Sequence, residues 1–134
     1  MFFFAIIKGN KLNNNLLVNQ ENGILDVTFN RPETKNAINR KMFHDLYDIL
    51  YEKLKDSSTK GIFISGNGDA FSSGGDVKDM ASNKDNFTLE EKTSSLRRLM
   101  KLSKLLYNSH VPTVAVITGA AAGATAGSAA TAGA

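Results

Sequence analysis

The stretch GIFISGNGDAFSSGGDVKDM, residues 61–80, decides the fold. It starts as a short apolar run, breaks into two glycine clusters around a lone Phe, and closes on an acidic turn. Glycine-rich corners also occur in ordinary turns, so spacing alone leaves open whether this loop is a corner or a site. Glycine does offer chemistry here. Lacking a Cβ, it lets a backbone N–H approach a ligand, and N–H groups from two loops can hold a carbonyl oxygen that gains negative charge. The loop is not a phosphate cradle of the GxxxxGK[ST] kind, because that pattern is absent.

Working outward, ILDVTF at residues 24–29 is a run of β-branched and aromatic residues ending near Pro32, which predicts a strand and an exit loop. Asn39 is placed to cap a helix in which Met42, Phe43, Leu46, Tyr47, Ile49, Leu50 and Leu54 recur at helical spacing. After a polar break at Ser57 to Lys60, GIFIS reads as a second strand, apolar enough to be buried on both faces. Thr88 and Glu91 form a capping-box pattern. The long helix behind them is expected to bury Leu96, Leu99, Met100, Leu102, Leu105 and Leu106. VPTVAVI, residues 111–117, is a third strand whose Pro112 lies near its start, where a missing donor costs least. Strands joined by helices predict a parallel α/β arrangement, in which sites favour the loops after the carboxyl ends of strands. Two glycine loops lie there: the one after GIFIS, and GAAAGATAG at residues 119–127.

Composition limits the alternatives. A chain of 134 residues with 42% apolar content suits one modest domain. The net charge of +3 comes from lysines scattered among acids rather than from a basic stripe, so no nucleic-acid partner is expected. With no cysteine, disulfides, thiolate zinc sites and a cysteine nucleophile are excluded. No run approaches the roughly 18 apolar residues of a membrane span. The opening MFFFAII has no basic residues before it and no small-residue cleavage site after it, so it does not read as a secretory signal. Residues 1–22 read as a polar, Asn-rich lead-in. His44 and His110 are distant from each other and lack a carboxylate cluster, so no metal site is expected. Ser72, Ser73 and Thr118 come without a GxSxG pattern, and their hydroxyls are expected to satisfy loop backbone. Phe71 is expected to anchor the first loop in the core.

The ordered set VTFNRPETKNAIN, GIFISGNGDAFSSGGDVKDM and VPTVAVITGAAAG resembles the crotonase superfamily of enoyl-CoA hydratases and isomerases over residues 23–127. The Ser-Ser-Gly-Gly-Asp form of the middle motif is most similar to the Δ3,Δ2-enoyl-CoA isomerases. The resemblance implies the N-terminal part of a spiral of β-β-α repeats, with two loops whose backbone N–H groups hold a thioester oxygen. Carried over residue by residue, it sets one donor at Gly75 and the second at Ala124, after Gly123. It sets Lys35, Asn36 and Ala37 in the loop that approaches the adenine and ribose-phosphate of coenzyme A. Asp76, Val77 and Lys78 fall in the turn behind the first donor, with Ser73 beside them. Lys35 and Lys78 would meet phosphates as point charges. The resemblance further implies an acyl-CoA substrate, no permanently bound cofactor, no metal, a homotrimer for the intact protein, and a peroxisomal or mitochondrial location; no clear targeting signal is read in the sequence itself.

The departures from the family pattern matter as much. Where hydratases of the family carry a catalytic glutamate, this chain has Gly127. The isomerases use a carboxylate further along. Asp69, Asp76 and Asp79, the acids nearest the site, match none of the family's catalytic positions. Beyond Gly127 the Ala/Gly-rich tail, residues 128–134, looks like low complexity. A half-spiral is expected to leave a strand edge and apolar surface exposed. Enoyl-CoA isomerisation is the leading expectation; the alternatives are a non-catalytic acyl-CoA or protein-binding module and a hydratase.

Overall fold

The computed structural model describes residues 14–82 and 87–123. The strands β1 (Leu16–Glu21) and β2 (Ile24–Phe29) form an antiparallel hairpin in which Glu21 pairs with Ile24. Asn22 and Gly23 between them both take positive φ, 51° and 80°, as a two-residue hairpin turn of the primed type requires. The expected lead-in over residues 1–22 therefore does not hold at 16–21, which form a paired strand. Leu16 is buried and Val18 packs against the core, a contribution that the asparagine-rich composition concealed.

A 3-10 turn at Pro32–Thr34 leads to α1 (Arg40–Lys55), whose N-terminus is capped as the sequence predicts: the Asn39 side chain accepts from the Met42 N–H at 2.8 Å. The chain continues through β3 (Gly61–Gly66), β4 (Ala70–Ser72), α2 (Val77–Ser82), α3 (Leu89–Tyr107), β5 (Thr113–Val116) and β6 (Ala120–Ala121). At the start of α3 the Thr88 and Glu91 side chains and backbones bond reciprocally in a capping box. The result is a β-β-α unit that recurs along the chain. One sheet has the order β1-β2-β3-β5 and a second pairs β4 with β6. β2, β3 and β5 are mutually parallel, as are β4 and β6.

Register decides which face is covered. Val27, Ile64 and Ala115 stand in one row across β2, β3 and β5, and all three are buried. Met42, Leu46, Ile49 and Leu50 of α1, with Leu102 and Leu106 of α3, belong to the same core cluster. The neighbouring row of Asp26, Phe63 and Val114 faces the other way and is exposed. β3 is thus not buried on both faces among the described residues: its Phe63 is 37% exposed, because successive residues of a strand point to opposite faces and Phe63, between the buried Ile62 and Ile64, falls on the face away from the helices.

α3 also departs from expectation. Leu102 and Leu106 are buried and Leu99 and Leu105 half-buried, whereas Leu96 and Met100 are 62% and 70% exposed. The helix meets the core through its C-terminal half, so its N-terminal leucines have no described layer to enter. Phe71 does anchor the first glycine loop. It is buried and sets its ring edge-on to Phe29 at 5.4 Å between centroids and 71° between planes. Replacing Phe71 with Ala is expected to lower unfolding free energy by about 3–5 kcal/mol in urea denaturation. A loss below about 1 kcal/mol would show that the loop is held by its hydrogen bonds alone.

Candidate active site

The parallel register brings the loops after β3 and β5 to the same end of the sheet, and a frame of buried polar groups shapes the first of them. Asn36, fully buried and with φ 56°, accepts the Arg31 N–H at its Oδ1 (2.9 Å). Its Nδ2 donates to the carbonyls of Asn67 (2.9 Å) and Ala70 (2.7 Å). One amide therefore ties the turn after β2 to the loop after β3. Asparagine is among the few side chains that tolerate this left-handed backbone. The buried Ser72 Oγ donates to the Asn36 carbonyl at 2.8 Å and accepts the Gly74 N–H at 3.0 Å. Ser73 Oγ donates to the Thr34 carbonyl at 3.1 Å, so both serine hydroxyls satisfy backbone as expected.

Main-chain bonds complete the frame. The Ser73 N–H donates to the Lys35 carbonyl (2.8 Å), the Ile38 N–H to the Gly74 carbonyl (2.8 Å), and the Asp76 N–H to the Ile38 carbonyl (2.9 Å). With Gly74 held by Ser72, the N–H groups of Ser73, Gly74 and Asp76 are all occupied. The Gly75 N–H between them has no hydrogen-bond partner among the described residues. The second loop closes against this point. The Ala122 N–H donates to the Ser72 carbonyl at 3.0 Å. A Cβ added to Gly74 (φ 98°) would lie 3.1 Å from the Ala122 carbonyl oxygen, and one added to Gly123 (φ 63°) 3.3 Å from Gly74 Cα and 3.9 Å from the Gly75 nitrogen. The two backbones approach closely here because both residues are glycine.

Asp76 anchors the far side of the loop. Its Oδ1 accepts the N–H groups of Lys78 (3.0 Å) and Asp79 (3.1 Å) at the start of α2, and its Oδ2 pairs with Arg31 Nη1 at 2.8 Å. Arg31 Nη1 also donates to the Ala37 carbonyl at 2.8 Å. The Arg31 guanidinium, together with the Asp79 and Lys78 N–H groups, holds the Asp76 carboxyl below the usual carboxylate range. Asp79 is likewise engaged, its Oδ2 accepting the Arg40 N–H at 3.0 Å at the start of α1.

The residues singled out in the sequence are only partly brought together. Gly75, Ser73, Asp76, Val77 and Lys78 lie in one loop-to-helix turn, and Lys35 is joined to it by the Ser73 bond. Lys35 and Lys78 are exposed and without an ion-pair partner among the described residues. Asn36 and Ala37 are buried, and both amide hydrogens of Asn36 are committed to carbonyls, so its side chain serves the loop frame. Ala124 and Gly127 lie outside the described residues, as does the tail beyond them. Two features escaped the sequence reading: the Asn36 amide as a staple, and the pairing of Arg31 with Asp76, 45 positions apart. His44 sits on α1 against Arg98 of α3, and its imidazole is pushed down by burial and then by the charges of Arg98 and Arg40. Among the described residues no group of three or more side chains of the metal-ligating kind gathers.

The chain matches the enoyl-CoA hydratase/isomerase family over residues 19–132. It belongs to that family. It is 33% identical over 108 residues to enoyl-CoA delta isomerase 2 of Homo sapiens, an alignment covering 81% of this chain and 27% of that protein. It is 34% identical over 107 residues to the small ribosomal subunit protein mS47 of Schizosaccharomyces pombe, covering 80% of this chain and 25% of that one. Other relatives are named as peroxisomal or mitochondrial isomerases. A crystal structure of a putative enoyl CoA hydratase/isomerase (crotonase) from Legionella pneumophila superposes with a TM-score of 0.80 at 31% identity, over 88% of this chain and 45% of that one. The β-β-α spiral is therefore the crotonase fold, of which this chain spans less than half the length of these relatives.

Asp76 makes the site frame sensitive to acid. Its folded pKa is lowered, so its stabilising contribution is complete above the unfolded carboxylate value of about 3.9 and is lost as pH falls through the folded value. Unfolding free energy measured against pH should fall less steeply below pH ~4 in Asp76→Asn than in the parent chain. An identical acid limb in the two proteins would show that the Arg31–Asp76 pair adds nothing to the folded state.

Proposed function

We propose that the chain is the N-terminal part of an enoyl-CoA isomerase, which moves a double bond from the 3- to the 2-position of an acyl-CoA thioester. The observation that carries this reading is the Gly75 N–H, left without a partner between three occupied donors and set against the glycine of the second loop. In the reaction a base removes a proton from the α carbon, and the electron pair moves into the thioester, placing negative charge on its oxygen. Returning a proton at the γ carbon gives the conjugated product. The Gly75 N–H, with the Ala124 N–H as its counterpart, holds the oxygen as charge develops. One such donor lowers the barrier by about 3–4 kcal/mol. Asp76 acts as a positioning residue, fixing the turn from which Gly75 projects. Lys35 and Lys78 are the candidate partners of the coenzyme phosphates, with Ser73 and Val77 beside them on the same turn.

The carboxylate that moves the proton is assigned to residues other than those described, since Asp76 and Asp79 are both engaged in holding helix starts. That same observation, and the relative named as a ribosomal protein, favour a second reading: a non-catalytic crotonase-like module. Incubating the full-length protein with a 3-enoyl-CoA separates the two, because appearance of the conjugated 2-enoyl product requires the acid, whereas binding without turnover indicates the module. Hydration of a 2-enoyl-CoA without isomerisation would identify a hydratase instead.

Gly75 supplies a paired test. A Cβ there meets only the methyl end of Met80, an exposed and flexible side chain, so Gly75→Ala keeps the N–H and is expected to retain most of kcat. Gly75→Pro removes the N–H and should lower kcat by about 10²–10³-fold with a smaller effect on KM. Equal activity of the two variants would sink the oxyanion role.

A further inference from the structure

The thioether of Met80 lies against the candidate donor, and the reaction proposed above does not use it. A Cβ built on Gly75 would collide with the Met80 methyl and stand 3.8 Å from its sulfur. Apart from the chain neighbours of Gly75, no other atom of the described residues lies within 4 Å of that point. The backbone fixes this approach, because the Met80 N–H donates to the Asp76 carbonyl at 3.0 Å and Asp76 is itself tied to Arg31. The side chain is held less firmly: it is 63% exposed and turns about three bonds. A thioether is only a weak acceptor, so in this state it does not compete for the Gly75 N–H. Among the described methionines, Met42 is buried in the core and Met100 stands on α3, which leaves Met80 as the one beside the loop.

We propose that Met80 is an oxidation site that switches the donor off: the oxygen of its sulfoxide takes the Gly75 N–H in place of the thioester oxygen. The inference rests on the oxyanion role given to Gly75 above. The oxidant is a hydroperoxide. A sulfur lone pair attacks one peroxide oxygen, and the S–O bond forms as the O–O bond breaks. Sulfur gives up two electrons, and the proton of the transferred oxygen passes to the departing one, which leaves as water or an alcohol. Access follows from the use of the place, since a pocket that admits a thioester to Gly75 also admits a peroxide to the sulfur beside it. Oxidation turns an apolar, flexible side chain into a polar one with a strong acceptor, and sulfoxide reductases reverse it. The frame that aims Gly75 is untouched in either state, so only the occupant of the N–H changes.

The test treats the full-length protein with hydrogen peroxide and maps oxygen addition at each methionine by peptide mass spectrometry. Turnover of a 3-enoyl-CoA should fall about tenfold or more in step with Met80 oxidation, and a methionine sulfoxide reductase should restore it. Met80→Leu, a swap of similar volume, should keep its own untreated rate through the same exposure. Met100→Leu, which removes the other exposed methionine, should lose turnover as the parent does. A second readout needs no turnover. With isotope-labelled glycine, the Gly75 amide resonance is identified by its loss in Gly75→Ala. After oxidation it should shift and exchange its hydrogen more slowly in the parent and stay unchanged in Met80→Leu. An unmoved Gly75 amide with Met80 fully oxidised, or equal loss of turnover in the parent and Met80→Leu, would overturn the proposal. Absence of turnover in the untreated protein would overturn the isomerase reading alone, and the amide shift would still decide whether the sulfoxide reaches Gly75.

Discussion

The site depends on one buried amide. Asn36 is enclosed by protein, and a polar group so placed must find its hydrogen bonds inside the fold. It does so by reaching three backbone groups on two loops, at Arg31, Asn67 and Ala70. Leaving one of those groups unpaired would cost about 1–3 kcal/mol, so the loops after β2 and β3 have little freedom to move apart. The Ser72 hydroxyl and the Arg31–Asp76 pair extend the same frame to Gly74 and to the start of α2. The consequence reaches Gly75: with the donors on both sides of it occupied, its N–H is the one left to project. A backbone donor is aimed only by such a frame, because no side-chain rotamer can adjust it.

The same architecture leaves much apolar surface uncovered. The sheet carries helices on one face, and the row of Phe63 and Val114 on the other is open, as are Val116 and Ile117. α3 adds its own bare stripe. Contiguous apolar surface of this kind marks a face that another layer covers. The chain covers 27% of one relative and 45% of another, so both faces are places where further chain or a partner has room to pack. The ends of the parallel strands are separate from these faces and are occupied by the glycine loops.

How far the sequence could be read follows from the range of each interaction. Caps and helical periodicity are local, so Asn39, Thr88 with Glu91, and the apolar face of α1 were legible and are observed as expected. The Asn22–Gly23 turn was equally local and signals a hairpin, but the surrounding asparagines suggested a loose lead-in and hid β1. Burial was harder to read. A leucine at helical spacing reports that one face is apolar, not whether a layer exists to receive it, which is why Leu96 and Met100 point outward while Leu102 and Leu106 do not.

The sequence by itself determined the order of elements, the parallel α/β arrangement and the family motifs, because these rest on propensity, periodicity and glycine placement within a few residues. Only the tertiary structure decided that Asn36 holds the loops, that Arg31 meets Asp76, that Gly123 lies against Gly74, and that the Gly75 N–H has no partner among the described residues. These are contacts between segments tens of positions apart. They exist only once the parallel register of β2, β3 and β5 has brought the strand ends to one edge, and hydrogen bonds with a reach of about 3 Å form only after that alignment.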